Sequence, residues 1–167
     1  MKIAILVDNL YQVLEVWYPY YRLKEAGMDV DFVAPEVGVY KSKEGYPAEV
    51  GLSIHDVEPE DYDAVVVPGG FAPDHLRRHE LMVQFVKKVN EKQGVVAAIC
   101  HGPWLLASAD VLRGKKATSF FAIKTDVVNA GASYEDQSVV VDGNLITSRK
   151  PDDLPAFCQA IIHALGT

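Results

Sequence analysis

The stretch Val95-Val96-Ala97-Ala98-Ile99-Cys100-His101-Gly102-Pro103 decides how the rest of the chain is read. Its apolar run is too short for a helix and does not alternate, which is the pattern of a strand covered on both faces. The run stops abruptly at a cysteine and turns into a helix. A strand entering a helix through one tight residue projects that side chain from the sheet edge, where the N–H groups of the new helix also point. Thiolate and anion are both favoured at such a place, so Cys100 is expected to titrate below ~7 against an unperturbed value of ~8.5. The plainer reading, a small buried hydrophobe, fits most free cysteines. The strand-Cys-His-Gly-Pro setting favours the nucleophile.

Further apolar runs at Ile3 to Val7, Val30 to Ala34 and Ala64 to Val67 have the same character. Between them, Tyr11 to Ala26 and His79 to Gln93 carry apolar residues at helical spacing and stop at Gly27 and Gly94. Strands alternating with helices predict an α/β fold with a mainly parallel, doubly wound sheet. Lys41 to Ile54 is expected to form an extended hairpin or an excursion rather than a helix, and Ser138 to Thr147 a hairpin turning at Asp142-Gly143-Asn144. A last helix, Asp152 to Leu165, carries Cys158 on its apolar stripe, which places that cysteine in the core. Pro19 is expected to kink or restart the first helix. The run Trp17-Tyr18-Pro19-Tyr20-Tyr21 holds more rings than one face buries, so part of it is expected at a subunit contact.

The chain has 167 residues, 49% of them hydrophobic, enough for one core and too few for two ordinary domains. One domain over residues 1–167 is expected. Acidic residues number 23 against 16 Lys plus Arg, for a net charge of -7, so nucleic acid and anionic membrane surfaces are not expected partners. Two cysteines make no disulfide framework, no signal-peptide pattern precedes the first strand, and no apolar run approaches the ~20 residues of a membrane span. The expected location is cytoplasmic.

Ligands of open parallel sheets bind at the carboxyl ends of the strands, near the point where strand order reverses. That rule brings together Asp8-Asn9, Pro68-Gly69-Gly70 and Cys100. Gly69 and Gly70 leave room for a substrate carbonyl, and their N–H groups are expected to join that of His101 around an oxyanion. A plain Pro-Gly turn is the competing reading. Glu15, in the first helix, points either to solvent or inward toward Cys100; inward, its carboxyl is desolvated and its pKa raised.

With these residues in place, the chain resembles the ThiJ/PfpI superfamily and, within it, PfpI-type intracellular proteases and protein deglycases. The resemblance spans Met1 to about Leu165. It rests on Ala98 to Pro103, on Tyr18 to Gly27, on Pro68-Gly69-Gly70-Phe71-Ala72-Pro73-Asp74, on Asn129-Ala130-Gly131, on Val139 to Asn144 and on Thr147 to Leu154. It implies a flavodoxin-like three-layer sandwich, similar to that of class I glutamine amidotransferases. It also implies Cys100 as nucleophile, Glu15 as the carboxyl touching it, His101 as the associated histidine, and homodimers or homohexamers. Asp74 matches the acid that orients the histidine of a neighbouring subunit, but is shorter by one methylene than the usual glutamate. Gln12 and Phe120 replace an acidic residue and a tyrosine of those relatives.

The implied activity is cysteine-dependent chemistry on a small carbonyl or peptide substrate, as a protease, deglycase or glyoxalase. The alternative is a stress-response redox sensor or holdase that oxidises Cys100. No cofactor or metal is expected. A glutamine amidotransferase requires a distal His-x-Glu, and none of the five histidines has glutamate two residues on. Dinucleotide binding lacks its Gly-x-Gly-x-x-Gly after the first strand.

Overall fold

The computed structural model describes residues 1–166. The first half of the chain forms β1 (Lys2–Leu6), α1 (Val13–Glu25), β2 (Asp29–Ala34), β3 (Gly38–Lys41), β4 (Pro47–Val50), β5 (Leu52–Ser53) and β6 (Ala64–Val67). Then follow α2 (Ala72–Leu76), α3 (Glu80–Glu91), β7 (Val95–Ile99), α4 (Pro103–Ser108), β8 (Lys116–Ala117) and α5 (Lys124–Asn129). The chain closes with β9 (Ser133–Tyr134), β10 (Val139–Asp142), β11 (Leu145–Ser148) and α6 (Leu154–Ala164).

Seven strands make one sheet in the order β10-β11-β7-β6-β1-β2-β5. All its pairings are parallel except β10 with β11, which is the expected second hairpin. The residues of each central strand divide between two cores. Ile3 and Ile5 of β1, and Val95, Ala97 and Ile99 of β7, pack with Val16 and Leu23 of α1 and Phe157 and Ile161 of α6. Ala4 and Leu6, and Val96 and Ala98, pack on the other face with Phe85, Val86 and Val89 of α3 and with Leu105 and Leu106 of α4. Both faces are covered, which is why these strands read as unbroken apolar runs.

The three-layer α/β architecture is the flavodoxin-like sandwich that was expected. Order reverses around β1, whose neighbours are β2 and β6, so the ends of β1, β6 and β7 open onto one crevice. The first hairpin pairs β3 with β4 and begins at Gly38, three residues before the expected start. Cys158 is fully buried in the α1/α6 core, as its place on the apolar stripe predicts.

One expectation needs correction. α1 runs unbroken through Pro19, so no restart occurs there. Proline removes only the bond its own N–H would make to the carbonyl of Glu15, one turn back, and the ring is buried against the core side of the helix. The aromatic run is partly absorbed within the chain, and part of it stays exposed. Trp17 packs edge-on to Tyr20, Phe32 and Tyr46 and stacks on Tyr21 at 5.7 Å, leaving Tyr18 and Tyr21 as the exposed rings.

Candidate active site

Cys100 follows β7 directly and adopts φ 62°, a left-handed conformation that a side-chain-bearing residue holds at a cost of ~1–3 kcal/mol. The bend is pinned on both sides: its N–H donates to Ser148 O at 3.1 Å and its carbonyl accepts from Phe120 N–H at 2.9 Å. The thiol therefore leaves the sheet edge as the local pattern predicts. Sγ lies 3.2 Å from Nδ1 of His101, whose ring packs against Phe120 at 5.1 Å and Trp104 at 5.0 Å. These two aromatic rings leave the imidazole little freedom.

Glu15 points inward and is completely buried. The Gln12 side chain caps α1, its Oε1 accepting from Leu14 N–H at 2.6 Å and Glu15 N–H at 3.2 Å, which sets the first turn and with it the direction of Glu15. Carboxylate Oε2 accepts from Gly69 N–H at 2.7 Å. Oε1 is buried without a hydrogen-bond partner, and the Cys100 thiol lies close enough to the carboxyl to influence it. Burial raises the Glu15 pKa to about 8, outweighing the Gly69 hydrogen bond. The group is therefore mainly neutral at pH 7, and Oε1 is the oxygen free to carry the proton.

The two glycines divide their roles, and this corrects the expected three-donor oxyanion site. Gly69 N–H is already occupied by Glu15. What Gly69 supplies is space: a Cβ there would stand 2.5 Å from Glu15 Oε2 and 2.7 Å from Cys100 Cβ. Gly70 has φ 76°, and its N–H, like that of His101, points at the Cys100 sulfur. Gly70 and His101 are thus the donors placed beside the thiol.

A low thiol pKa is the second correction. Burial raises Cys100 to about 12, and a charged Glu15 adds to the rise, while the N–H groups of His101 and Gly70 pull the other way. The local pattern overrated the helix beyond it. α4 has six residues and starts at Pro103, and so short a dipole does not offset a desolvated sulfur. Burial, with Lys43 nearby, holds His101 below its ordinary value, so the ring is neutral and able to accept a proton. The resting pair is thiol and imidazole rather than thiolate and imidazolium.

Cys100, His101, Glu15 and Gly70 meet at a cavity of about 280 Å³, whose wall is completed by Gln12, Lys43, Phe71, Phe120 and Pro151. Asp74 is elsewhere. It sits on the exposed side of α2 in an ion pair with Arg78 and makes no hydrogen bond to His101 of the same chain. Sequence reasoning did not reach Lys43, which no local motif marks, and it gave no role to Phe71 or Pro151, which lie in the family-like stretches Pro68 to Asp74 and Thr147 to Leu154. Among the described residues, no helix is long and apolar enough to cross a membrane.

Comparison with known proteins identifies the family. The sequence profile of the DJ-1/PfpI family matches residues 1–164. Deglycase PfpI of Pyrococcus furiosus is 44% identical over 165 residues, covering 99% of each chain. The putative cysteine protease YraA of Bacillus subtilis is 41% identical over 165 residues, covering 98% of each. A solved two-domain protein of Anabaena variabilis, with DJ-1/ThiJ/PfpI-like and ferritin-like domains, superposes with a TM-score of 0.97 at 44% identity. That match covers 99% of this chain and 48% of the Anabaena chain, so the present chain spans about half of that protein. With profile, sequence and fold in agreement over nearly its whole length, the chain belongs to the DJ-1/PfpI family.

Proposed function

We propose that the protein is a cysteine-dependent enzyme of the deglycase or glyoxalase type, acting on small electrophilic carbonyl compounds with Cys100 as nucleophile. The observation that carries this reading is the 3.2 Å approach of Cys100 Sγ to His101 Nδ1 at the floor of a cavity of about 280 Å³. A buried thiol with a high pKa is activated by handing its proton to a base as it attacks, not by standing as a free anion. Sulfur adds to the carbonyl carbon, the S–H proton passes to His101 Nδ1, and the carbonyl electron pair becomes an oxyanion received by the N–H groups of Gly70 and His101. Glu15 holds a proton at Oε1 on the same side of the site, and with a pKa of about 8 it can return that proton to oxygen or to a departing amine near neutral pH. The deglycase names of relatives such as that of Pyrococcus furiosus support the same substrate class.

Peptide hydrolysis is the weaker activity in this reading. The cavity lies at the small end of ligand sites, so most of a peptide would sit outside it. Asp74 remains the proposed partner for His101 of a neighbouring subunit in an oligomer, but it is short and already paired with Arg78. The redox-sensor alternative is disfavoured by the high thiol pKa, because peroxide oxidation depends on thiolate.

The test is a parallel assay on methylglyoxal, on methylglyoxal–amine adducts and on fluorogenic peptides. Turnover of the first two that disappears in Cys100→Ala is the expected result. Peptidase turnover exceeding both, and lost in Asp74→Asn, would make the chain a protease first.

A further inference from the structure

Lys43 enters the Cys100 cavity from the turn between β3 and β4, more than fifty residues upstream of the thiol. The turn is held firmly against the site. Lys43 N–H donates to Tyr11 O at 3.0 Å, and Tyr11 bridges both Ser42 and Gly70. Ser42 is buried, its Oγ accepting from Glu44 N–H at 3.1 Å and Tyr46 N–H at 3.0 Å, while its own N–H donates to Tyr46 O. Tyr11 OH closes the loop by donating to Tyr46 O at 2.7 Å. The backbone that carries Lys43 is thus tied to the same segment that carries Gln12 and meets Gly70.

The charge it brings is uncompensated. Among the described residues Lys43 has no ion-pair partner. Among the described residues the only carboxyl lining the cavity is Glu15, which burial keeps mainly neutral at pH 7; Lys43 and Glu44 are both exposed in the turn, and Glu44 is outside the lining. A small, partly open site with an apolar wall, two N–H donors beside the thiol and the exposed, unpaired Lys43 in its lining is complementary to a particular kind of molecule: a carbonyl with a negative charge a few bonds away.

We propose that Lys43 is a specificity-determining residue that selects carbonyl substrates bearing a carboxylate over their uncharged counterparts. This rests on Cys100 as carbonyl nucleophile. The carbonyl oxygen sits at Gly70 and His101 while the carboxylate is met by the Lys43 ammonium, so the positive charge fixes which end of the substrate reaches the sulfur. A charged hydrogen bond of this kind gives about a tenfold preference.

A matched pair reads the preference directly: 4,5-dioxopentanoate and its methyl ester, an α-oxoaldehyde with and without the negative charge. The expected kcat/KM ratio of acid to ester is about ten in the wild type, close to one in Lys43→Met, and largely kept in Lys43→Arg. The ratio also falls as salt is added. A wild-type ratio near one, or one that Lys43→Met leaves in place, overturns the proposal. Alkylation of Cys100 by iodoacetate and iodoacetamide, read from the mass of the Cys100 peptide, supplies an answer that needs no turnover. Lys43→Met is expected to lower the iodoacetate-to-iodoacetamide rate ratio about tenfold, and an unchanged ratio overturns the assignment. Were neither acid nor ester turned over, the carbonyl-enzyme reading would fail, and the alkylation ratio would still decide whether Lys43 recognises an anion at the thiol.

Discussion

The two cysteines of this chain have nearly the same burial and the same displaced acidity, yet their surroundings have little in common. Cys100 is 7% exposed and Cys158 fully buried, and burial pushes both thiols up to about 12. Cys158 lies on α6 among apolar side chains, with only the charge of Arg22 pulling its pKa back. Cys100 has an imidazole nitrogen at 3.2 Å, two N–H groups aimed at its sulfur and a buried carboxyl beside it. Acidity alone does not tell these residues apart. The difference lies in what can take the proton and what can receive the charge once sulfur reacts.

The comparison breaks most sharply on substitution. Cys100→Ala is expected to lower carbonyl turnover at least ~10³-fold with little loss of stability, since the elbow residue contributes little packing. Cys158→Ala is expected to do the reverse, keeping turnover within about twofold while costing ~1–2 kcal/mol in urea unfolding, because it opens a void in the core. Turnover surviving in Cys100→Ala at more than a few per cent would place the chemistry elsewhere.

The proton acceptor comes next. His101→Ala is expected to reduce kcat by ~10²-fold or more, by removing the base that lets a high-pKa thiol react. The pH profile carries the sharper information. A wild-type enzyme limited by proton handover should lose activity as pH falls and His101 becomes protonated, with the midpoint below the ordinary ~6.5 of histidine. A midpoint above that value would indicate a thiolate–imidazolium pair after all.

Glu15 tests how far burial controls the site. Its folded pKa of about 8 stands above the unfolded value of 4.5, so below pH 4.5 both states keep the proton and the group is neutral in its effect. As pH rises from 4.5 to 8, the unfolded chain releases a proton that the native protein retains, and stability falls by at most ~1.4 kcal/mol per pH unit. Glu15→Gln removes that loss. Its stability relative to wild type should improve across this window and level off above it, while turnover drops ~10²-fold if the Oε1 proton is used. A pH-independent difference would mean that the carboxyl is not buried as a neutral group.

The smallest expected effect is in labelling. At pH 9, iodoacetamide should modify Cys100 about tenfold faster than Cys158, because only Cys100 opens onto a cavity and has an imidazole in contact. Equal rates would reduce the two cysteines to the same kind of buried thiol.

Much of this was already legible in the linear chain. Unbroken apolar strands spaced by amphipathic helices dictate a parallel sheet covered on both faces, because no other arrangement buries both sides of such strands. Val95 to Pro103 likewise determines a nucleophile-type bend, since a short strand, a tight residue and a helix start are neighbours in sequence. Position at the end of β6 was enough to bring Gly69 and Gly70 to the crevice. What the chain by itself did not determine is the electrostatics of that crevice. Whether Cys100 is acidic depends on how much water Glu15, Phe120 and the β6 loop displace, and those come from three separate parts of the chain. Whether Gly69 N–H is available depends on which way α1, turning about 100° per residue, presents Glu15, and the Gln12 cap sets that first turn. Lys43 reaches the site only because a hairpin folds back onto Tyr11. Periodicity is a local property and survives in the sequence; dielectric surroundings and hydrogen-bond partners are assembled by long-range contacts, and only the tertiary structure decides them.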